Sequence, residues 1–294
     1  MGINGLWNVL APAAMRCTLG EFAINESFKS LHEEGPPRIL TAGFNASSWM
    51  HNLCSGYTQH LIGTRKSLET RIVFSRLVAL SEIVLCAHFV FDGLSQPQPK
   101  PGKGAKAVPS LLMWHFQEML AAFGFSWHVA LGLADAELAW LNVQGLVDVM
   151  VTDGDNALLF GSTTILQSPP RARTFEDVKV YTSDALEHGI HLTQGGLVLV
   201  ALLCGGDYSV GIPGCDVDIA CQVAGYGFGE NLLQATTTLP FLEFMKYMPK
   251  WRSDLCDVLF HFFIVVLCLL HVVIWLCSFV WNSEQLLNTL HLTI

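Results

Sequence analysis

The 294-residue chain is long enough to bury a full core, as one large domain or two small ones. Only 14% of its residues are charged, 51% are hydrophobic, and the formal net charge is −9, which excludes a chain that is basic throughout and holds nucleic acid by bulk charge. Nine cysteines with no Cys-x-x-Cys pair argue against a zinc site or a disulfide framework and for reduced thiols.

Short apolar runs alternating with helical stretches predict an α/β fold. The chain opens Met1-Gly2-Ile3-Asn4-Gly5-Leu6-Trp7, in which Ile3, Leu6 and Trp7 suit the packing of a first helix. Arg38 to Phe44 reads as a strand leading to Asn45, Glu69 to Leu85 as a helix, and Ala87 to Phe91 as a strand ending at Asp92. Ser95 to Pro109 is a Pro/Gly/Lys-rich loop carrying Lys100, Lys103 and Lys106. Leu111 to Phe123 and Ala134 to Val143 read as amphipathic helices, and Val147 to Val151 as a strand between the second of these and Asp153-Gly154-Asp155-Asn156. Leu197 to Leu203 reads as a buried helix running into Gly205-Gly206, and Ala220 to Leu233 as a helix–turn unit. Val258 to Trp281 then runs 24 residues without an Asp, Glu, Lys or Arg. A span of about 20 apolar residues crosses a bilayer. Lys246, Lys250 and Arg252 precede the run and no Lys or Arg follows it, which would leave the N-terminal body cytoplasmic on a tail anchor. A segment foreign to the natural coding sequence and a core helix are the other two readings of this stretch.

Five blocks stand in order along this framework: the opening Met1–Trp7, Val90-Phe91-Asp92-Gly93, Ala136-Glu137-Leu138-Ala139-Trp140-Leu141-Asn142, Ala157-Leu158-Leu159-Phe160-Gly161, and Gly205-Gly206-Asp207-Tyr208. Their order and spacing resemble the XPG-type structure-specific 5′-nucleases, a family that includes flap endonucleases and eukaryotic Holliday-junction resolvases. The resemblance implies a central, mostly parallel sheet flanked by helices (a PIN-like nuclease core) with a helix–turn–helix DNA-binding hairpin and, in this chain, an atypical apolar C-terminal helix. It divides the chain into an N-terminal region at 1–110, an internal region with the hairpin at 111–250, the apolar segment at 258–281 and a tail at 282–294. It also implies cleavage of branched DNA, at a 5′ flap or a junction, in DNA repair in the nucleus. Two Mg2+ ions held by carboxylates would support that chemistry, since two-metal hydrolysis activates a water and stabilises the leaving oxygen. Nothing in the sequence sets the oligomeric state.

The family gathers seven acidic positions, and this chain fills three. The first, in a Gly-x-Asp-Ala-Ser block, reads Gly43-Phe44-Asn45-Ala46-Ser47 and is Asn45. The second is retained as Asp92. The third and fourth, in a Gly-Glu-Ala-Glu-Ala helix start, are Leu133 and Asp135. The fifth and sixth, an Asp-x-Asp with both flanks fixed, are Gly154 and Asn156, and the seventh is retained as Asp207. Asp153 and Asp155 keep the Asp-x-Asp spacing one residue early, and a shift of the loop would bring them in. Asp92, Asp135 and Asp207 are therefore the expected catalytic residues and, with Asp153 and Asp155, the expected metal ligands, while the substitutions Asn45, Leu133, Gly154 and Asn156 predict catalysis that is absent or severely weakened. The same resemblance gives Gly2, the three loop lysines, and Gly211, Ile212 and Gly214 of the hairpin turn to DNA binding, where turn amides grip a phosphate. Asp216 and Asp218 stand beside that turn as repulsive charges. A fold kept for DNA or partner binding alone, and a membrane-anchored nuclease-like protein, are the alternatives.

Overall fold

A computed structural model of the chain describes residues 2–32, 38–50, 65–95, 110–168, 176–206 and 209–261. Its centre is a seven-stranded mixed sheet in the order β1-β7-β6-β5-β2-β3-β4. The strands are β1 (Met15–Thr18), β2 (Thr41–Asn45), β3 (Cys86–Phe91), β4 (Ser126–Val129), β5 (Val149–Val151), β6 (Thr164–Gln167) and β7 (Asp177–Thr182). Four of the six pairings are parallel, as the sequence predicts for the core; β7 runs antiparallel to both β6 and β1.

Helices cover both faces. They are α1 (Leu6–Leu10), α2 (Leu19–His32), α3 (Arg65–Ser81), α4 (Ser110–Phe123), α5 (Ala134–Val143), α6 (Asn156–Leu159), α7 (Ser183–Ile190), α8 (Gln194–Cys204), α9 (Val217–Ala224) and α10 (Phe228–Thr238). Local chemistry starts several of them. Thr18 and Glu21 cap α2 reciprocally, the Glu21 amide donating to Thr18 Oγ1 and the Thr18 amide to Glu21 Oε2. Thr182, Thr193 and Asp216 accept the amides of Ala185, Gly196 and Ile219 to open α7, α8 and α9.

One face of the sheet buries an aromatic cluster. Phe44 of β2 and Phe89 of β3 stack at 4.9 Å, and Trp49 and Phe116 pack edge-on against Phe89. Such aromatic side chains carry large buried areas, so this layer anchors the β2–β3 pair. On the other face α5 lies directly on β2. A Cβ at Gly43 would come within 2.6 Å of Leu138 Cδ2, so the helix approaches as closely as it does because position 43 has no side chain.

The order β5-β2-β3 places the reversal of strand order beside β2. In open α/β sheets the crevice at the carboxyl ends of strands next to such a switch point is where ligands bind. Asn45, Asp92 and Thr152 sit at those ends.

The chain divides after Glu230 into two compact units. In the second, a helix over 241–261 buries Trp251, Leu255 and Leu259, which recur every four residues along one stripe. No single helix among the described residues is long and apolar enough to cross a membrane. From residue 262 the apolar segment predicted to span one lies outside the described residues, as does the tail.

Candidate functional site

The site grows from three strand ends and one helix start. β2 ends at Asn45, whose Oδ1 accepts the Ser48 amide at 2.8 Å and so caps the helix that begins at 46. Its Nδ2 donates to Asp135 Oδ1 at 2.7 Å. β3 ends just before Asp92. The Asp92 amide donates to Ser47 Oγ at 2.9 Å, and Asp92 Oδ1 accepts the Ala134 amide at 2.8 Å. Helix α5 has Leu133 at its N-cap, with no side chain to offer its own first turn, so Asp92 supplies the missing acceptor from another strand. Gly93 makes that reach feasible: its amide donates to Gly132 O at 2.7 Å, and a Cβ there would fall 1.9 Å from Ala130 O.

Asp135 stands in the first turn of α5, partly buried. Its Oδ1 accepts from Asn45 Nδ2 and also from Thr152 Oγ1 at 2.8 Å. Burial pushes its carboxyl up from an ordinary 3.8 to about 6; the two donors pull it down, and the Asp92 carboxylate adds a smaller upward push. Gly154 faces the same group. A Cβ at 154 would lie 2.5 Å from Asp135 Oδ2, so Asp135 fills space that a side chain at 154 would need.

The two neighbouring acids do other work. Asp153 Oδ1 accepts the Ser168 amide at 3.2 Å. Asp155, only 2% exposed, accepts the Ile3 amide on Oδ2 at 2.9 Å. Gly2 lies flat against that carboxylate, with φ +126° and space for a Cβ filled by Asp155 Oδ1. The expected DNA-contacting Gly2 is thus part of the seating of the first residues on Asp155. Asn156 begins α6 behind the same loop.

Between α8 and α9 the turn carries Gly211 and Gly214 at positive φ (67° and 83°), with Ile212, Pro213 and Gly214 exposed. Ile212 N donates to Leu203 O at 2.7 Å, closing the turn onto α8. Asp216 is the N-cap of α9, so its charge stabilises the helix start beside the turn. Asp218 stands exposed in the first turn of α9. Asp207, Lys100, Lys103 and Lys106 lie outside the described residues.

Sequence reading assigns no role to Ser47 or Thr152. Ser47 stands inside the Gly-x-Asp-Ala-Ser block, which is the signal that could have found it; Thr152 has no signal beyond its place at a strand end. Asn142, at the close of the Ala136–Asn142 block, is also structural. Its Oδ1 accepts from Ser162 Oγ and from the Thr163 amide and hydroxyl, while its Nδ2 donates to Val147 O and Asp148 O.

Two divalent ions bring four positive charges and take hard oxygen ligands. The described carboxylates of the cluster are Asp92 at a strand end and Asp135 at the helix start, while Asp153 and Asp155 hold the Ser168 and Ile3 amides. One oxygen of Asp92 and one of Asp135 are already taken by protein donors, and burial raises the Asp135 carboxyl to about 6. Among the described residues no group of three or more His, Cys, Asp and Glu side chains is placed to hold a metal ion. The described donor set therefore does not fit a two-ion centre.

Comparison with known proteins places the fold. A family model described as the XPG I-region matches residues 124–207. The chain is 27% identical over 254 residues to "Flap endonuclease GEN homolog 1" of Mus musculus, covering 80% of this chain and 26% of that protein. It is 31% identical over 164 residues to "Flap endonuclease GEN-like 1" of Arabidopsis thaliana, covering 55% of this chain and 26% of that one. The chain thus spans about a quarter of the length of these relatives. Among solved structures, the Holliday junction-resolving enzyme GEN1 in complex with product DNA and Mg2+ matches with a TM-score of 0.65 at 27% identity, over 87% of this chain and 56% of that one. The catalytic core of Rad2 in complex with DNA substrate shares the fold at a TM-score of 0.61 and 21% identity, over 86% of this chain and 80% of that one.

Proposed function

This chain belongs to the XPG-type 5′-nuclease family, and from that premise we propose that it recognises branched DNA, a 5′ flap or a junction, with Mg2+-dependent incision absent or severely weakened. The observation that carries the reading is the strand-end cluster. It keeps the family's architecture, yet its described carboxylates are engaged in holding the fold: Asp92 caps α5, and Asp135 is bound by Asn45 and Thr152. The glycine turn between α8 and α9 supports the binding half of the proposal only through its exposed Ile212, Pro213 and Gly214, since the Ile212 amide is spent on Leu203 O and the Gly211 amide on Ser209 Oγ. Asp216 and Asp218 beside it lower the affinity that turn can deliver. A role in DNA repair and a nuclear location follow as part of the same reading.

The test uses the purified full chain with labelled four-way-junction, 5′-flap and linear duplex DNA, first in Mg2+ and then in Mn2+, with Asp92→Ala as control. The expected result is tighter binding to the branched substrates and little or no incision. Mg2+-dependent cutting that disappears in the control and matches an intact relative in rate overturns the claim of weakened catalysis. Equal binding to linear and branched DNA overturns the claim of branched-DNA recognition.

A further inference from the structure

Away from the strand-end cluster, a second set of polar groups lines the β4 edge of the sheet formed by the described residues. His88 on β3 and His128 on the edge strand β4 face each other, with His88 Nε2 2.8 Å from His128 Nδ1. The ring centroids are 5.0 Å apart, so the facing nitrogens lie nearly on the line joining the rings. At its other end His88 Nδ1 lies 2.7 Å from Ser126 Oγ, and Ser126 Oγ lies 3.4 Å from Ala87 O. His128 Nε2 lies 3.6 Å from Glu137 Oε1 on α5. The chain Ser126–His88–His128–Glu137 therefore joins β3, β4 and α5, the elements that also position Asp92 and Asp135.

A metal ion does not explain this pair. A divalent ion between two imidazoles needs about 2.0–2.1 Å to each nitrogen. Nitrogens meeting head-on at 2.8 Å leave no room for one. They do fit a shared N–H···N bond, which takes one proton between the two nitrogens.

Counting protons then gives a rule. In the neutral pair, Ser126 O–H donates to His88 Nδ1, His88 Nε2–H donates to His128 Nδ1, and His128 Nε2–H faces Glu137. One added proton is accommodated: His88 Nδ1–H donates to Ser126 Oγ, the hydroxyl turns to Ala87 O, and the Glu137 carboxylate balances the charge. A second added proton puts two N–H groups against each other and two positive charges side by side. We propose that His88 and His128 form a one-charge clasp, which holds β4 and α5 against β3 until acid forces a second charge onto the pair and frees the edge strand.

The surroundings favour this assignment. Burial, and then the nearness of His128, lowers the His88 pKa below its ordinary value. Along β3 the next side chain on the same face is Cys86, and β2 places only Gly43 opposite His88. α5 brings Glu137. α4 packs on the opposite face of the sheet, where Phe116 meets Phe91, so its His115 and Glu118 lie across the sheet from the pair.

The test is an imidazole NMR titration of the full chain between pH 7.5 and 4.5, paired with amide exchange across β4. Two macroscopic steps, separated by more than about one pH unit, are expected for the pair. Protection of residues 126–129 should be lost with the second step, while β2 and β3 stay protected. His128→Gln keeps an acceptor for His88 but removes the second charge, so its β4 protection should persist to pH 4.5; His88→Gln is the parallel variant should the first fail to fold. Glu137→Gln should move the first step to lower pH. Two independent, ordinary histidine titrations, or the same acid loss of β4 protection in the Gln variants, overturn the proposal.

Discussion

Asp135 shows how a retained residue can change its job. Its charged form is disfavoured by burial, so its folded pKa is raised from 3.8 to about 6. A raised acid favours the fold fully below its unfolded value, and that contribution is lost as pH rises through about 6. At about 1.36 kcal/mol per unit, the loss amounts to about 3 kcal/mol by neutral pH. Asp135→Asn retains an acceptor for Asn45 Nδ2 and cannot ionise. Urea unfolding should therefore find this variant more stable than the parent by about 3 kcal/mol at pH 7–8, with the gap closing toward pH 4. A gap independent of pH would mean that Asp135 is not the ionising group. Asp92 has a separate role. Asp92→Ala removes the acceptor for Ala134 N and should cost about 1 kcal/mol in equilibrium unfolding, the usual worth of a helix cap. By removing a neighbouring negative charge it should also lower the Asp135 pKa, which a carboxyl NMR titration would register.

Among the elements, α5 is the one the others are built around. It rests on β2 at Gly43, is capped by Asp92 from β3, clasps β4 through Glu137, and is tied at its far end by Asn142. Asn142 serves five hydrogen bonds at 5% exposure, so its loss leaves buried donors and acceptors without partners. Asn142→Ala should cost about 2–4 kcal/mol, more than one typical bond, in denaturant unfolding; a cost below about 1 kcal/mol would show that water replaces those bonds. This helix was legible from end to end in the sequence, because Gly132 breaks the chain before it and its apolar positions keep helical spacing. β2 and β3 were legible too, as apolar runs ending at Asn45 and Asp92. β1, β4, β6 and β7 were not. Three of them are only four residues long, too short to display an alternation, and they are strands because of partners far away in sequence. The helix expected over Glu69–Leu85 runs instead over Arg65–Ser81, since residues 82–85 turn back toward β3.

Over the whole molecule, the sequence revealed which family positions are filled but not what the filled ones do. Asp153 and Asp155 read as replacement ligands only if the loop shifts by one residue, and the fold places them against the Ser168 and Ile3 amides. No spacing rule contains that information, because both bonds cross between segments distant in the chain. One further outcome belongs at this scale. A resident ion that binds only the folded protein raises its unfolding temperature in proportion to the logarithm of its concentration. The described donors do not fit two ions, so neither EDTA nor millimolar Mg2+ should shift the melting temperature of the full chain. A shift of several degrees would show that the full chain holds a metal ion, and loss of that shift in Asp207→Ala would place Asp207 among its ligands.

The seating of Ile3 on Asp155 spans 152 residues of sequence, and among the described residues β1 pairs with β7, with Met15 opposite Val180. On a ribosome, at about 5–20 residues per second, the first segment must wait roughly 10–30 s before those partners have been made. During that interval its apolar residues, Ile3, Leu6 and Leu10, have nowhere to bury. The segment that carries Ile3 and β1 thus closes on partners made much later in synthesis, a contact of high sequence separation that forms slowly.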